Sequence, residues 1–161
     1  MRSAVFFAVA ALAACSGEPS EEERRAAVAE VEANQTPPPV EIVPDPIRYP
    51  EIEKYDLFGG GCSFAAKGGG LAAVAIAMED TGHFLLGGDL VTLAADKGSD
   101  ELPYLAWRKY DGKAYSMMLD LNQDAGQQSG EETSDYPAML TIRNARGQVV
   151  YRENGIAQCG V

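Results

Sequence analysis

His83 is the only histidine in the sequence, so it is the only imidazole that could act as a general base or bind a metal ion. It precedes the apolar run 84–86, where a single histidine is more often a residue of the surface or of a core rim. No serine or cysteine lies in a nucleophile motif such as Gly-x-Ser-x-Gly. The glycine triplets 59–61 and 68–70 lack the lysine and the helix that follow a phosphate-binding loop. We therefore predict that the protein is not an enzyme.

A second chemical possibility is the segment 120–131, which has oxygen-bearing side chains at its first, third, fifth and twelfth positions. Ca²⁺ takes about six to eight oxygen ligands, and this spacing is similar to that of an EF-hand loop. The glycine, however, stands at the seventh position instead of the sixth, and strands rather than helices are predicted on both sides. We predict no cofactor and keep calcium as an alternative to an exposed loop. The calcium ligands would be Asp120, Asn122, Asp124 and Glu131.

Aromatic and charged side chains gather in the segment 104–119, which is predicted to form a hairpin with a two-residue turn at Asp111-Gly112. This register places Tyr104, Arg108, Tyr110 and Tyr115 on one side, together with Met117 and Leu119, and Leu105, Trp107 and Met118 on the other. Both sides are apolar, so alternation does not show which one faces the core. If the first side faces outward, its four polar aromatic and basic residues form a partner-binding patch. Otherwise the tyrosines line the rim of the core.

Short apolar runs separated by turn residues fill the sequence from residue 59 onward, a pattern typical of antiparallel strands. The pairs Gly87-Gly88, Asp111-Gly112 and Asn154-Gly155 favour two-residue hairpin turns. A meander of this length closes or packs on itself, because open edges aggregate. The predicted fold class is all-β, a small antiparallel meander barrel or sandwich of about eight strands over residues 51–161. The strands are predicted near 62–66, 71–78, 83–86, 90–95, 104–110, 114–121, 138–143, 148–152 and 156–159.

The N-terminus has the pattern of an export signal. The basic Arg2 precedes an apolar run, 4–14, that is too short to span a bilayer. The run ends in Leu12-Ala13-Ala14-Cys15, which resembles the lipobox of bacterial lipoproteins. This resemblance implies that residues 1–14 are a signal peptide and that Cys15 becomes the acylated first residue. It also implies a lipid-anchored protein that faces the periplasm, and Ser16, in place of an aspartate, favours the outer membrane.

Residues 15–50 are predicted to form a disordered tether between this anchor and the domain. From residue 16 onward the segment holds seven of the nine prolines, eight acidic residues and three basic ones. Such a segment cannot bury enough apolar surface to offset its ordering entropy. Ser20-Glu21-Glu22-Glu23 is a capping-box pattern and predicts a short helix that ends near Asn34. The later prolines favour polyproline II conformation, so the tether would hold the domain away from the lipid.

Cys62 lies in the first predicted strand and Cys159 in the last, and both would enter an oxidising compartment after export. We predict that they form a disulfide. Such a bond requires Cα atoms about 5 to 6 Å apart. It would therefore bring the two ends of the meander together, as in a closed or nearly closed sheet.

The formal net charge of −11 and the absence of a basic patch argue against nucleic-acid binding. Beyond residue 50, nine Lys and Arg stand against 16 Asp and Glu, so the domain itself is acidic. Acidic charge favours solubility, and it would also attract a basic partner. We predict a non-catalytic binding or structural lipoprotein of the cell envelope. Its partners would be the membrane, through the lipid anchor, and another envelope protein.

An acidic, acylated and disulfide-closed β domain also resembles the membrane-bound inhibitors of C-type lysozyme. Those proteins are lipoproteins with an eight-stranded barrel and a disulfide between early and late strands. The resemblance is architectural and implies binding to a strongly basic lysozyme. Their Ser/Gly-x-x-Tyr signature is not matched, because Ser129-Gly130 stands well before Tyr136. Lysozyme inhibition is therefore the alternative function, and calcium binding is the second alternative.

Overall fold

The computed structural model describes residues 19–35 and 37–161, so the predicted signal peptide, Cys15 and Ser16 lie outside the described residues. The chain divides into two compact units, one up to Pro38 and one from Pro39 to Val161. In the first unit, helix α1 spans Glu21–Gln35 and buries no residue. The Ser20 amide donates to the Glu23 carboxylate at 2.7 Å, and the Glu23 amide donates to Ser20 Oγ at 3.2 Å. These bonds are the capping box that the sequence predicts.

The second unit is an antiparallel β-barrel. Eight strands pair in the order β1-β2-β3-β4-β5-β6-β8-β9, and β9 pairs with β1 to close the ring, whereas β7 is an extra strand beside β8. The predicted all-β class is confirmed, and its form is a barrel rather than a sandwich. The strands are β1 (Gly61–Ala66), β2 (Ala75–Met78), β3 (Thr81–Leu86), β4 (Asp89–Ala95), β5 (Lys109–Asp111), β6 (Tyr115–Leu121), β7 (Gln127–Gln128), β8 (Thr133–Asn144) and β9 (Val149–Gly160), with a short helix α2 (Tyr49–Tyr55) and 3₁₀ turns at Pro103–Leu105 and Gln123–Ala125.

Side chains fill the interior of the barrel. Alternate residues of each strand point inward, as is usual in a small barrel. The largest of these side chains are Tyr110, Phe64 and Phe84, and all three are fully buried. A Cβ on Gly82 would lie 2.6 Å from the ring of Tyr110, so a glycine is needed there to accommodate the ring. A second apolar cluster lies outside the ring and consists of Ile47, Leu57, Ile76 and Leu85.

Part of the predicted tether belongs to the barrel unit. Residues 39–47, which we call the N-terminal strap, bind to three different parts of the barrel through their backbone amides. The amides of Ile42, Asp45 and Ile47 donate to the carbonyls of Val150, Leu85 and Ala73 at 2.9, 2.9 and 2.7 Å. The Ile47 side chain is 2% exposed. The expectation of a disordered tether up to residue 50 is therefore wrong for the strap, because its amides bond to the barrel and its residue Ile47 packs in the outer apolar cluster.

Two predicted local structures also differ from the observed ones. Asn154-Gly155 does not form a turn but lies inside the long strand β9. A Cβ on Gly155 would collide with the carbonyl oxygen of Ala65 and would lie 2.8 Å from the Phe64 ring, so this glycine serves close packing. The segment 104–108, predicted as a strand, instead contains consecutive left-handed residues, with φ of 57° at Tyr104 and 63° at Leu105.

The predicted disulfide between Cys62 and Cys159 is confirmed. The two residues are paired directly across β1 and β9, and their Cα atoms lie 4.0 Å apart, which is closer than the expected 5 to 6 Å because the residues stand directly opposite each other on neighbouring strands. Both are buried in the core, where they covalently join the first and last strands of the barrel. Among residues 19–35 and 37–161, no helix combines the length and the apolar character needed to cross a membrane.

Candidate functional site

The hairpin that the sequence singles out directs its aromatic face inward. Tyr110 pairs with Met117 instead of residue 113, so the connection is longer than two residues. Tyr110, Tyr115 and Met117 still share the inner face, whereas Tyr104 lies in the 3₁₀ turn Pro103–Leu105 and Arg108 binds Asp120. Tyr110 is fully buried, and Tyr115 is half-buried with its ring against Phe84 at a centroid distance of 5.6 Å. The outward patch of four residues is therefore wrong for Tyr110, because this face of the sheet lines the core.

The Tyr110 hydroxyl connects two parts of the chain inside the barrel. It donates to the carbonyl oxygen of Met78 at 2.8 Å and accepts from the Trp107 amide at 2.8 Å. Burial raises the pKa of Tyr110 to about 12, because the charged phenolate would lose its hydration. This side chain therefore has a structural role and positions the segment that precedes β5.

Arg108 and the candidate calcium ligand Asp120 are bound to each other. Arg108 Nε donates to Asp120 Oδ1 at 2.6 Å, and Arg108 Nη1 donates to Asp100 Oδ2 at 3.3 Å. The hydrogen bond with Asp120 raises the pKa of Arg108 above its usual value. In the described part of the chain, no group of three or more His, Cys, Asp or Glu side chains is arranged to hold a metal ion. The Asp120 carboxylate is therefore paired with the Arg108 guanidinium, whereas calcium binding would need this carboxylate to be free.

His83 lies on the outer face of β3 and is 6% exposed, so it is more deeply buried than the sequence suggests. Its Nε2 is 2.8 Å from Thr81 Oγ1, and its Nδ1 is 3.2 Å from Thr92 Oγ1. Burial lowers the pKa of His83, because the imidazolium would be poorly hydrated there. Both ring nitrogens have neutral hydroxyl partners, and the residue is therefore a packed, uncharged side chain between strands.

An open groove lies on the outer face of β1 and β9, and we call it the outer groove. It has a volume of about 790 Å³. Ser63, Gln158 and Asp135 form one row across three strands, and Ala65 and Ile156 form the next row. Because the neighbouring residues Phe64 and Ala157 point into the core, these side chains must point outward.

One end of the outer groove is acidic and the other is basic. Asp135 accepts hydrogen bonds from Ser129 Oγ at 2.8 Å and from Gln158 Nε2 at 3.0 Å, which fix its carboxylate beside the first row. Lys67 lines the groove beyond the end of β1, four residues after Ser63. At about 3.3 Å per strand residue, Lys67 lies roughly 13 Å along the strand direction from the row that contains Asp135.

The middle of the outer groove is apolar and its wall is a glycine-rich loop. Ile156 is 45% exposed, and Leu71 is completely exposed at the end of the triplet 68–70. Gly68 and Gly70 have φ of 83° and 86°, which favour glycine, so this triplet does form a turn as predicted. The groove therefore offers small floor residues, two apolar side chains and opposite charges, a combination suited to an extended peptide segment.

No protein-family model, curated protein or solved structure matches this chain.

The residues of the outer groove were not identified as a site from the sequence. The available signal was the alternation in β9, where Asn154, Ile156 and Gln158 share one face. The sequence predicts a turn at Asn154-Gly155, which divides this face between two strands, whereas in the structure it is continuous along β9.

Proposed function

We propose that this protein is a lipid-anchored, non-catalytic binding module of the bacterial cell envelope, and that its barrel holds an extended segment of another envelope protein in the outer groove. The outer groove is the observation that carries the binding role, because its charged ends and apolar centre match a short extended chain. The lipobox residues Leu12-Ala13-Ala14-Cys15 support the anchor and the export. Ser16 supports the outer membrane as the location.

The anchor is tested by mass spectrometry of the protein purified from its native host. We expect a chain that begins at Cys15 and carries acyl groups, and we expect the protein to fractionate with outer membranes. A Cys15→Ser variant should lose the acyl mass and leave the membrane fraction. Recovery of residues 1–14 on the mature protein, or an unmodified Cys15, would overturn the anchoring part of the proposal.

The groove is tested with synthetic pentapeptides in which a lysine and an aspartate are separated by three valines, in both orders. We expect one order to shift the methyl NMR signals of Leu71 and Ile156. Asp135→Asn should weaken that binding, since it removes the charge that faces the lysine. Val40→Ser is the control, because Val40 is 81% exposed in the strap and lies outside the groove. If neither order shifts the two methyl signals, the outer groove is not a peptide site.

Lysozyme inhibition remains a second candidate because the observed fold has both architectural features of that class. The barrel has eight strands, and a disulfide joins β1 to β9. A cell-lysis assay with hen egg-white lysozyme tests this function directly. Inhibition at micromolar concentration would support it, whereas full lytic activity at that concentration would remove it.

A further inference from the structure

A second exposed apolar surface lies at the barrel rim, at the opposite end of β1 from Lys67. A cleft of about 310 Å³, which we call the rim cleft, is lined by Gly60, Glu79, Tyr104, Leu105 and Val161. Leu105 is 54% exposed and Val161 is 75% exposed. A Cβ on Gly60 would lie 3.1 Å from Val161 Cγ1 and 3.7 Å from the Tyr104 carbonyl oxygen. The glycine therefore gives the cleft its depth beside two accessible apolar side chains.

The backbone that presents Leu105 has a conformation that bulky residues rarely adopt. Tyr104 and Leu105 are consecutive left-handed residues, with φ of 57° and 63°. The loop is fixed on both sides, because Leu102 and Ala106 are buried and the Leu102 amide donates to the Ala106 carbonyl at 2.8 Å. A glycine at position 105 would adopt this backbone without strain. The strained leucine is thus poorly explained by the fold alone, since more than half of its surface stays in solvent.

Charge around the rim cleft favours a basic ligand. Glu79 lines the cleft, and Lys97, which pairs with the neighbouring Asp80 at 2.7 Å, also attracts Glu79 from outside the cleft. None of the lysines and arginines of the described residues lines this cleft. An anionic lipid surface would be repelled by Glu79. A second copy of the chain would bring the same excess of acidic groups and is disfavoured for the same reason.

We propose that the rim cleft is a docking site for a second protein, which inserts one apolar side chain between Leu105 and Val161 and places a flanking lysine or arginine beside Glu79. Aromatic and aliphatic anchors in a pocket, with a charged group at the edge, are the usual composition of a protein-binding hot spot. The rim cleft shares no lining residue with the outer groove, so this site does not depend on the proposed peptide binding.

The probe is a peptide with one central phenylalanine flanked by a lysine on each side, and the reference peptide carries glutamate at both flanking positions. Binding to the full-length chain is followed by the methyl NMR signals of Leu105 and Val161. We expect the lysine peptide to shift both signals and the glutamate peptide to shift neither. The shifts should weaken as salt is added, because the attraction to Glu79 is exposed and screened.

Three variants separate docking from folding. Leu105→Gly should weaken binding of the lysine peptide about tenfold or more, the loss expected for a central apolar anchor, without lowering the melting temperature, because glycine relieves the left-handed backbone. Glu79→Gln should weaken binding and reduce its dependence on salt. Val43→Ser is the matched control, since Val43 is 80% exposed but lies in the strap, and it should leave binding unchanged.

Several results would overturn the proposal. Equal binding of the two peptides would show that Glu79 does not select a basic ligand. Unchanged binding by Leu105→Gly, or a clear loss of stability in that variant, would make Leu105 a structural residue. Binding of the chain to anionic vesicles through Leu105, or self-association that Leu105→Gly abolishes, would assign the rim cleft to a membrane or to a second copy instead.

Discussion

The Tyr110 hydroxyl is the polar group on which the inner packing of the hairpin depends. Tyr110→Phe keeps the ring but leaves the partly buried Met78 carbonyl without this donor and the Trp107 amide without this acceptor. An unsatisfied buried partner costs about 1 to 3 kcal/mol, so we expect a loss of unfolding free energy of that size. Urea denaturation measures it. Tyr49→Phe is the control, because Tyr49 is 65% exposed. A loss below about 0.5 kcal/mol, the usual range for surface changes, would show that water replaces the lost bonds.

His83 should make the stability of the barrel depend on pH. Its folded pKa is lowered by burial, so the unfolded state binds the proton more readily. The stabilising contribution is complete above the unfolded pKa of about 6.5 and is lost as the pH falls from there towards the lower folded pKa. We expect His83→Gln to flatten the stability profile between about pH 7.5 and 5. An unchanged profile in thermal melts over that range would contradict this assignment.

At the scale of elements, the N-terminal strap should contribute to the stability of the barrel. Ile47 is 2% exposed in the outer apolar cluster, whereas Val43 in the same strap is 80% exposed. Ile47→Ala removes buried methyl groups and should cost about 2 to 5 kcal/mol. Val43→Ala is the matched control and should change the unfolding free energy by about 0.5 kcal/mol or less. Chemical denaturation of both variants checks the difference, and equal values would mean that the strap is not held on the barrel.

The strand order was predictable only in part, because of the three two-residue turns that the sequence predicts only Gly87-Gly88 forms. Gly87-Gly88 does form a tight turn, with φ of 63° and 85°, between the paired residues Leu86 and Asp89. Gly155 was misinterpreted for a physical reason. A sequence does not distinguish a glycine that is required for positive φ from one that is required for close packing, as Gly155 is beside Phe64. The strap was missed because its contacts depend on outward-facing residues of the barrel, which local composition does not describe.

The two candidate clefts could not be derived from the sequence alone. The outer groove combines residues from β1, β8 and β9 and from the loop after β1, and the rim cleft joins residues that lie far apart in the chain. The pairing of Cys62 with Cys159 implied that β1 and β9 are neighbours, but it did not give their register. A shift by one residue would turn Ile156 inward and remove the outer groove. The site therefore depends on a register that only the closed sheet defines.

At the scale of the whole molecule, the disulfide is expected to be a major source of stability. Cys62 and Cys159 are 97 positions apart, and a cross-link over such a loop restricts the unfolded chain by about 4 to 5 kcal/mol in the chain-entropy model. The double variant Cys62→Ala and Cys159→Ala should lose stability of this order in urea denaturation. A reducing agent should lower the stability of the parent protein and leave the double variant unchanged. Identical unfolding of the parent and the variant would contradict the stabilising role.

The closure of the ring by β1 and β9 also determines the order in which the protein can assemble. β1 can pair with β2 early, but its second neighbour, β9, is the last strand of this sheet in chain order. Such pairing over a long separation gives a high contact order and slow folding. The barrel therefore cannot close before β9 has been synthesised and is free to pair, so the preceding strands remain open to proteases and chaperones until then.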